Sequence, residues 1–136
     1  MDLLLALSSF VIALGVLITA HEYGHYWVAR RLGVKILKFS VGFGRPILRR
    51  NFGETEFVIA MLPLGGYVKM LDESEGDVSR YELDRAFNRK PLGTRTAVVA
   101  AGPLANLILA FFAASSIMRM LSRWNFLAIS CLLYTS

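Results

Sequence analysis

The 136-residue chain lacks the features that stabilise a small secreted or soluble domain. Its one cysteine, Cys131, excludes an intrachain disulfide framework. Charged residues are missing from residues 3–20 and 96–118, and no Lys or Arg precedes Arg30. A hydrophobic fraction of 55% is too high for an ordinary soluble domain of this size. These absences predict an α-helical integral membrane protein of one domain at most.

The positive charge is concentrated in one connecting segment. All but two of the 15 Lys and Arg residues lie in residues 30–95, together with all but two of the 10 acidic residues. This mixture of signs makes nucleic-acid binding unexpected. A Lys/Arg excess between two apolar segments instead indicates a cytoplasmic loop by the positive-inside rule. We therefore expect the lipid bilayer as a partner, no nucleic acid, and an amino terminus outside the cytoplasm.

The two histidines of the chain are four residues apart, in the segment His21-Glu22-Tyr23-Gly24-His25. This spacing puts both imidazoles on one face of a helix, where they can bind the same ion. The pattern predicts a Zn²⁺ site with His21 and His25 as metal ligands and Glu22 as the catalytic base. A histidine on an apolar face is more often a core residue, but ionisable groups at membrane depth indicate a functional site.

The apolar stretch around the histidines predicts transmembrane helix 1 over residues 1–29. A signal peptide is the alternative, but the amino end carries Asp2 and no basic residue, and the helical pattern continues through the histidines. Arg30 and Arg31 close the span after a group of aromatic residues. At about 1.5 Å per residue, His21 lies roughly 13 Å along the axis from Arg30, below the membrane surface.

The connector comprises residues 30–95. Within it, the helical period is lost between about residues 34 and 71. Alternating β-forming residues there predict strands that are broken at 42–44 and at 63–67, with a hairpin tip at 51–54. The expected product is a small membrane-associated β-hairpin or sheet between the two transmembrane helices. It either caps the helix ends or contacts a substrate.

Residues 96–118 predict transmembrane helix 2, which runs antiparallel to the first because basic residues precede it. Pro103 leaves a backbone carbonyl free for a neighbouring polar group or water. Asn106 lies about 16 Å along the axis from Arg95, a depth similar to that of His21. Its amide either forms a helix–helix hydrogen bond or lines the site. Both alternatives put the second helix against the first.

Five segments together resemble the site-2 protease family of intramembrane zinc metalloproteases. The resemblance covers residues 1–113 and rests on HEYGH at 21–25, VGFGRP at 41–46, PLGGYVKMLDE at 63–73, AFNRK at 86–90 and AAGPLAN at 100–106. It implies zinc on the two histidines, Glu22 as the base that activates water, and a re-entrant β-element that holds an unwound substrate segment as an added strand. Gly42, Gly44 and Asn106 are then candidate substrate-binding residues.

Members of such a family cleave transmembrane segments of single-span membrane proteins, for instance an anti-sigma factor, in regulated intramembrane proteolysis at the bacterial inner membrane. The resemblance also implies a third zinc ligand, an aspartate in a Leu-Asp-Gly motif on a later helix, which this chain lacks. We therefore expect an amino-terminal fragment of a zinc metalloendopeptidase that is inactive alone. The alternative is a non-hydrolytic metal-transport subunit or an inactive paralogue, which would need no glutamate between the histidines.

Residues 119–136 are interpreted as a non-native tail. The family pattern is lost from about Ser115, and residues 131–136 match the translation of a sequencing adapter. The tail, including Cys131, is therefore left out of the fold and function predictions.

Overall fold

The computed structural model of the chain describes residues 2–75 and 78–134, without the side chains of Glu75 and residues 124–134. The main elements follow the predicted order of helix, hairpin and helix: α1 (Asp2–Arg31), β1 (Ile36–Phe52), β2 (Thr55–Met70) and α2 (Leu92–Tyr134). Three 3₁₀ turns lie between β2 and α2, at Glu73–Glu75, Leu83–Arg85 and Phe87–Arg89. The chain divides into two compact units, residues 1–106 and 107–136.

Both helices are long and apolar enough to cross a bilayer by length and composition. The qualifying segments are the whole of α1, 30 residues, and the first 32 residues of α2. A helix of 30 residues is about 45 Å long, against roughly 30 Å of hydrocarbon core. Both helices extend past the predicted limits of 1–29 and 96–118, because backbone hydrogen bonding continues beyond the charge-free stretches. Helix α2 also continues through much of the predicted tail, whose last residues, 135–136, lie outside the described residues.

The predicted breaks at 42–44 and 63–67 are wrong, because both strands continue through them. Gly42 and Gly44 have φ angles of 90° and 88°, in the left-handed region that glycine enters at little cost. They bend β1, but the strand stays paired with β2, through Val41 before the bend and Phe43 within it. These glycines therefore mark a bend within β1, not its end.

The bend folds the hairpin into a small sheet. Residues 46–52 pair with 55–60 across the turn at Gly53, which confirms the predicted hairpin tip. Residues 36–41 pair with 66–70 and also lie beside the 55–60 segment. The first part of β1 therefore has hydrogen-bonding neighbours on both of its edges.

The core lies where the carboxyl-terminal half of α1 meets the sheet and α2. The rings of Tyr26, Phe39 and Phe57 pack together, with each pair of centroids 5.4 Å apart. Ala29 is fully buried and Val98 is 1% exposed in the same region. Aromatic packing thus fixes α1 against the hairpin, and Val98 brings α2 to the same core.

Ion pairs connect the hairpin tip to the segment that follows the sheet. Arg85 donates hydrogen bonds of 3.1 and 2.6 Å to the carboxylate of Glu54, and Lys35 pairs with Glu82. The hydrogen bond from Arg85 lowers the pKa of Glu54, and Glu54 raises the pKa of Arg85. Because Glu54 and Arg85 are exposed, the pair orients the segment more than it stabilises the fold.

Gly42 is constrained by its surroundings as well as by its φ angle. A methyl group there would lie 2.8 Å from the carbonyl oxygen of Leu62 and 2.9 Å from that of Ala60, whereas one at Gly53 meets nothing within 4 Å. Both Gly42→Ala and Gly53→Ala strain the left-handed backbone, but only the first adds an overpacking cost of about 1–3 kcal/mol. We expect Gly42→Ala to lower the thermal unfolding midpoint by more than Gly53→Ala. Equal shifts would contradict this packing argument.

Candidate metal centre

Helices α1 and α2 are in close contact at Gly24. A methyl group at this position would lie 2.5 Å from the carbonyl oxygen of Ala101 and 2.8 Å from Cβ of Ala105. Small residues of this kind allow two helix backbones to pack closely. Since Gly24 lies between His21 and His25, the same contact presents both histidines to α2.

The two histidine rings converge on one point. Nε2 of His21 and Nε2 of His25 are 3.2 Å apart, with the ring planes at 80°. Two nitrogen ligands of a tetrahedral zinc ion, at about 2.0–2.1 Å from the metal, are themselves about 3.3 Å apart. The separation of the two nitrogen atoms therefore fits a shared zinc ion.

The buried Gly102 of α2 faces this pair of nitrogen atoms. A methyl group at residue 102 would lie 2.6 Å from Nε2 of His21 and still closer to Nε2 of His25. The absence of a side chain leaves space beside both lone-pair positions. That space is the second observation that fits a metal ion held by the histidines.

The outer nitrogen of His25 contacts the backbone of α2. Nδ1 of His25 lies 2.7 Å from the carbonyl oxygen of Val98. A carbonyl oxygen only accepts hydrogen bonds, so Nδ1 carries the proton and Nε2 keeps a free lone pair. This is the tautomer that binds a metal through Nε2, with the other nitrogen donating to a backbone oxygen.

Glu22 borders a cavity of about 310 Å³ between α1, the hairpin and Asn106. Strand β2 passes close to Glu22 at Gly66, where a methyl group would lie 2.9 Å from Cγ of Glu22. The cavity is formed by residues from α1, both strands and α2: Leu17, Ile18, His21, Glu22, Phe43, Leu64, Gly65, Gly66 and Asn106. A carboxylate beside the histidines, in a cavity with room for water, is positioned to accept a proton.

Four of the predicted site residues come together in the structure. His21, Glu22, His25 and Asn106 are all half-buried at the point where α1 faces α2. Nδ2 of Asn106 lies 3.3 Å from Nδ1 of His21, which confirms the predicted contact between the two helices at this depth. The catalytic and metal-binding roles of these residues remain predictions from the motif.

Gly42 and Gly44 lie in the bend of β1 and are not among the residues that line the cavity beside Glu22. Phe43, between them, does line it. Gly66 and Gly102 were not predicted as site residues, although both lie in the segments that carry the resemblance. The sequence feature that could have identified Gly102 is its spacing, one helical turn before Asn106 on α2.

Among the side chains that the structure describes, no group of three from His, Cys, Asp and Glu is arranged to hold a metal ion. As zinc ligands, His21 and His25 would supply two of the three protein ligands that a catalytic zinc site uses. The residues present fit zinc in the separation of the two nitrogen atoms, in the tautomer of His25 and in the space at Gly102.

The space at Gly102 can be tested directly. In Gly102→Ala a methyl group enters the position next to both Nε2 atoms, and we expect the zinc affinity of the full-length protein to fall by about tenfold or more. Gly93→Ala is the matched control, because a methyl group there meets nothing within 4 Å on the same helix. Competition with a fluorescent zinc chelator measures both variants. An unchanged affinity in Gly102→Ala would show that the ion does not occupy this space.

The sequence matches the family Peptidase family M50 over residues 9–129. The match continues past residue 113, so the predicted extent of the resemblance was too short. The regulator of sigma-E protease RseP of Salmonella typhimurium (strain 14028s / SGSC 2262) is 56% identical over 115 residues, which cover 83% of this chain and 25% of that protein. RseP of Escherichia coli (strain K12) is 58% identical over 109 residues, covering 79% and 24%.

A third relative is a protein of Xylella fastidiosa (strain Temecula1 / ATCC 700964) that is provisionally named a zinc metalloprotease. It is 59% identical over 109 residues, which cover 79% of this chain and 24% of that protein. The chain thus spans about a quarter of the length of the curated relatives it matches. The residues matched to the family include the histidine pair, Glu22 and Asn106. It covers well over half of the sequence, and this chain therefore belongs to Peptidase family M50, as its resemblance to the site-2 proteases predicted.

Proposed function

We propose that the full-length protein is an intramembrane zinc metalloprotease of the bacterial inner membrane. The observation that carries this proposal is the pair of Nε2 atoms 3.2 Å apart beside Glu22, on a helix long enough to span a bilayer. His21 and His25 supply two zinc ligands, and the third comes from a part of the full-length protein outside this chain. Relatives named as regulators of sigma-E support a single-span substrate of the anti-sigma-factor type.

The chemistry is peptide hydrolysis with Glu22 as general base. A bound zinc ion supplies a Lewis acid and lowers the pKa of water to about 7. His21 and His25 hold the ion through their Nε2 atoms as neutral ligands. Glu22 accepts a proton from the attacking water and returns it to the leaving amine. The cavity that Glu22 shares with His21 holds the water within reach of the carboxylate.

The hairpin supplies what a helical substrate lacks, a partner for unwound backbone. A transmembrane helix keeps its carbonyl groups in its own hydrogen bonds, so cleavage requires a locally extended segment. Strand β2 passes Glu22 at Gly66, and a substrate segment added as a strand there would run close to the base. Gly42 and Gly44 contribute by bending β1, which brings Phe43 to the wall of the cavity.

The proposed topology has both apolar helices spanning the membrane, with residues 30–95 in the cytoplasm and the amino terminus outside. The Lys/Arg excess of residues 30–95 supports this orientation, and cation–aromatic contacts at the end of α1 fit a membrane interface there. Arg30 donates a 2.5 Å hydrogen bond to the hydroxyl of Tyr26, and Arg31 lies 4.8 Å from the ring centre of Trp27. Such pairs are typical of a membrane interface. Water then reaches the histidines from the cytoplasmic side.

Replacement of the base separates hydrolysis from metal binding. We expect Glu22→Gln in the full-length protein to lower kcat for a single-span substrate by about 10²–10⁴-fold, because the amide cannot accept the proton of water. Zinc affinity should stay close to that of the unmodified protein, since Glu22 is not a ligand. Glu56→Gln is the control, because Glu56 does not line the cavity and forms ion pairs with Lys38, at 3.6 Å, and with Arg49, at 3.9 Å. Cleavage is followed by the appearance of the cytoplasmic product.

A Glu22→Gln protein that cleaves at the original rate would refute the assignment of the base. If no cleavage occurs in any form and only metal transport depends on the histidines, the non-hydrolytic alternative would replace this proposal.

A further inference from the structure

We propose that Asn106 is a positioning residue that holds His21 in the tautomer that binds zinc, by accepting a hydrogen bond from Nδ1 of the ring. This inference rests on the zinc site proposed above. It assigns one role to an amide for which the sequence leaves two roles open, a helix–helix contact and a wall of the site.

The contacts around the two rings form a continuous chain of hydrogen bonds. Because Nδ1 of His25 donates to the carbonyl of Val98, its Nε2 is an acceptor. Nε2 of His21, 3.2 Å away, is then the donor in that contact, which makes Nδ1 of His21 an acceptor. Nδ2 of Asn106 donates to it over 3.3 Å. In this arrangement His21 carries its proton on Nε2, the nitrogen that has to bind the ion.

The oxygen of the same amide is unsatisfied. Oδ1 of Asn106 is buried and has no hydrogen-bond partner among the described residues. Buried polar atoms of this kind are rare, and each calls for an explanation in the chemistry of the site. This oxygen is therefore the free acceptor that the amide can turn towards a donor.

A half-turn of the amide gives that arrangement, because it exchanges Oδ1 with Nδ2. Oδ1 of Asn106 then faces Nδ1 of His21, and the ring moves its proton from Nε2 to Nδ1. No proton is gained or lost: the N–H bond at Nε2 breaks and one at Nδ1 forms. Nδ1 donates to the amide oxygen, and Nε2 presents a lone pair to the ion, as Nε2 of His25 already does.

Helix α2 then holds both imidazoles in the same way. Val98, Gly102 and Asn106 follow one another at intervals of four residues, on one face of the helix. The first and last provide oxygen atoms for the Nδ1 atoms of His25 and His21, and the glycine between them leaves space at the Nε2 atoms. An oxygen behind each ligating ring is the arrangement that fixes ring orientation and tautomer in metal sites.

Two substitutions separate an acceptor role from a purely structural one. Asn106→Leu keeps a similar volume but removes the acceptor, and we expect the full-length protein to bind zinc about 10–100-fold more weakly. Asn106→Asp keeps acceptor oxygens and removes the donor, and we expect it to bind zinc at least as tightly as the unmodified protein. Ser116→Ala is the control on the same helix, since that hydroxyl bonds only to the carbonyl of Phe112. Zinc affinity is measured by chelator competition.

The visible spectrum of the Co²⁺-substituted protein provides a second readout. We expect Asn106→Asp to retain the band positions of the unmodified protein, because the carboxylate lies behind the imidazole and adds no ligand. If Asn106 only donated a hydrogen bond from its amide nitrogen to the other helix, both variants would lose that donor. The aspartate and leucine variants would then behave alike.

Three results would overturn the inference. The first is zinc binding by Asn106→Leu as tight as that of the unmodified protein, and the second is binding by Asn106→Asp as weak as that of the leucine variant; either result leaves the proposed protease intact. Failure of the unmodified protein to bind zinc would overturn the proposed function as well. If Asn106→Leu does not fold, the aspartate variant decides alone: retained affinity supports the acceptor role and lost affinity refutes it.

Discussion

The site depends on a close approach of two helices at which only the hydrogen atom of glycine fits. Gly24 lets α1 pack against the backbone of α2 at Ala101, and Gly102 leaves room opposite the histidines. In a lipid environment apolar surface gains little by association, so close packing of small residues and interhelical hydrogen bonds hold helices together. The same glycines therefore bring the helices together and leave the space that a metal ion needs.

The hairpin fixes the other side of the site. Packing of Tyr26, the residue directly after His25, against Phe39 and Phe57 holds the end of α1 to the sheet. Extended backbone then passes directly beside Glu22, at Gly66. In the proposed function, the rigid helix carries the groups that act on water, and the sheet offers hydrogen bonds to an unwound peptide. Hydrolysis within a membrane requires both, because a helical substrate conceals the bond to be cut.

Much of this arrangement was predictable from local sequence patterns. Charge-free runs predicted both helices, the spacing of His21 and His25 predicted their convergence, and helix geometry predicted that Asn106 would reach the depth of His21. The hairpin tip at Gly53 followed from turn chemistry. Each of these features is encoded in a short segment whose period or spacing has one physical meaning.

The remaining features depend on what lies opposite a residue in the folded chain. Gly42 and Gly44 were read as a break because a glycine pair permits both a bend and an end, and only strand pairing decides between them. The importance of Gly66 and Gly102 comes from the atoms that a methyl group would meet, Cγ of Glu22 and the imidazole nitrogens. A single sequence contains no record of such contacts between distant segments.

The central claim is that two imidazoles on adjacent turns of α1 bind one zinc ion. X-ray absorption at the zinc edge of the purified full-length protein tests it most directly, because imidazole rings give a recognisable scattering pattern. The account predicts two imidazole nitrogens at about 2.0–2.1 Å from zinc, and one fewer in His25→Ala. A zinc spectrum without imidazole scattering, or one that His25→Ala leaves unchanged, would contradict it.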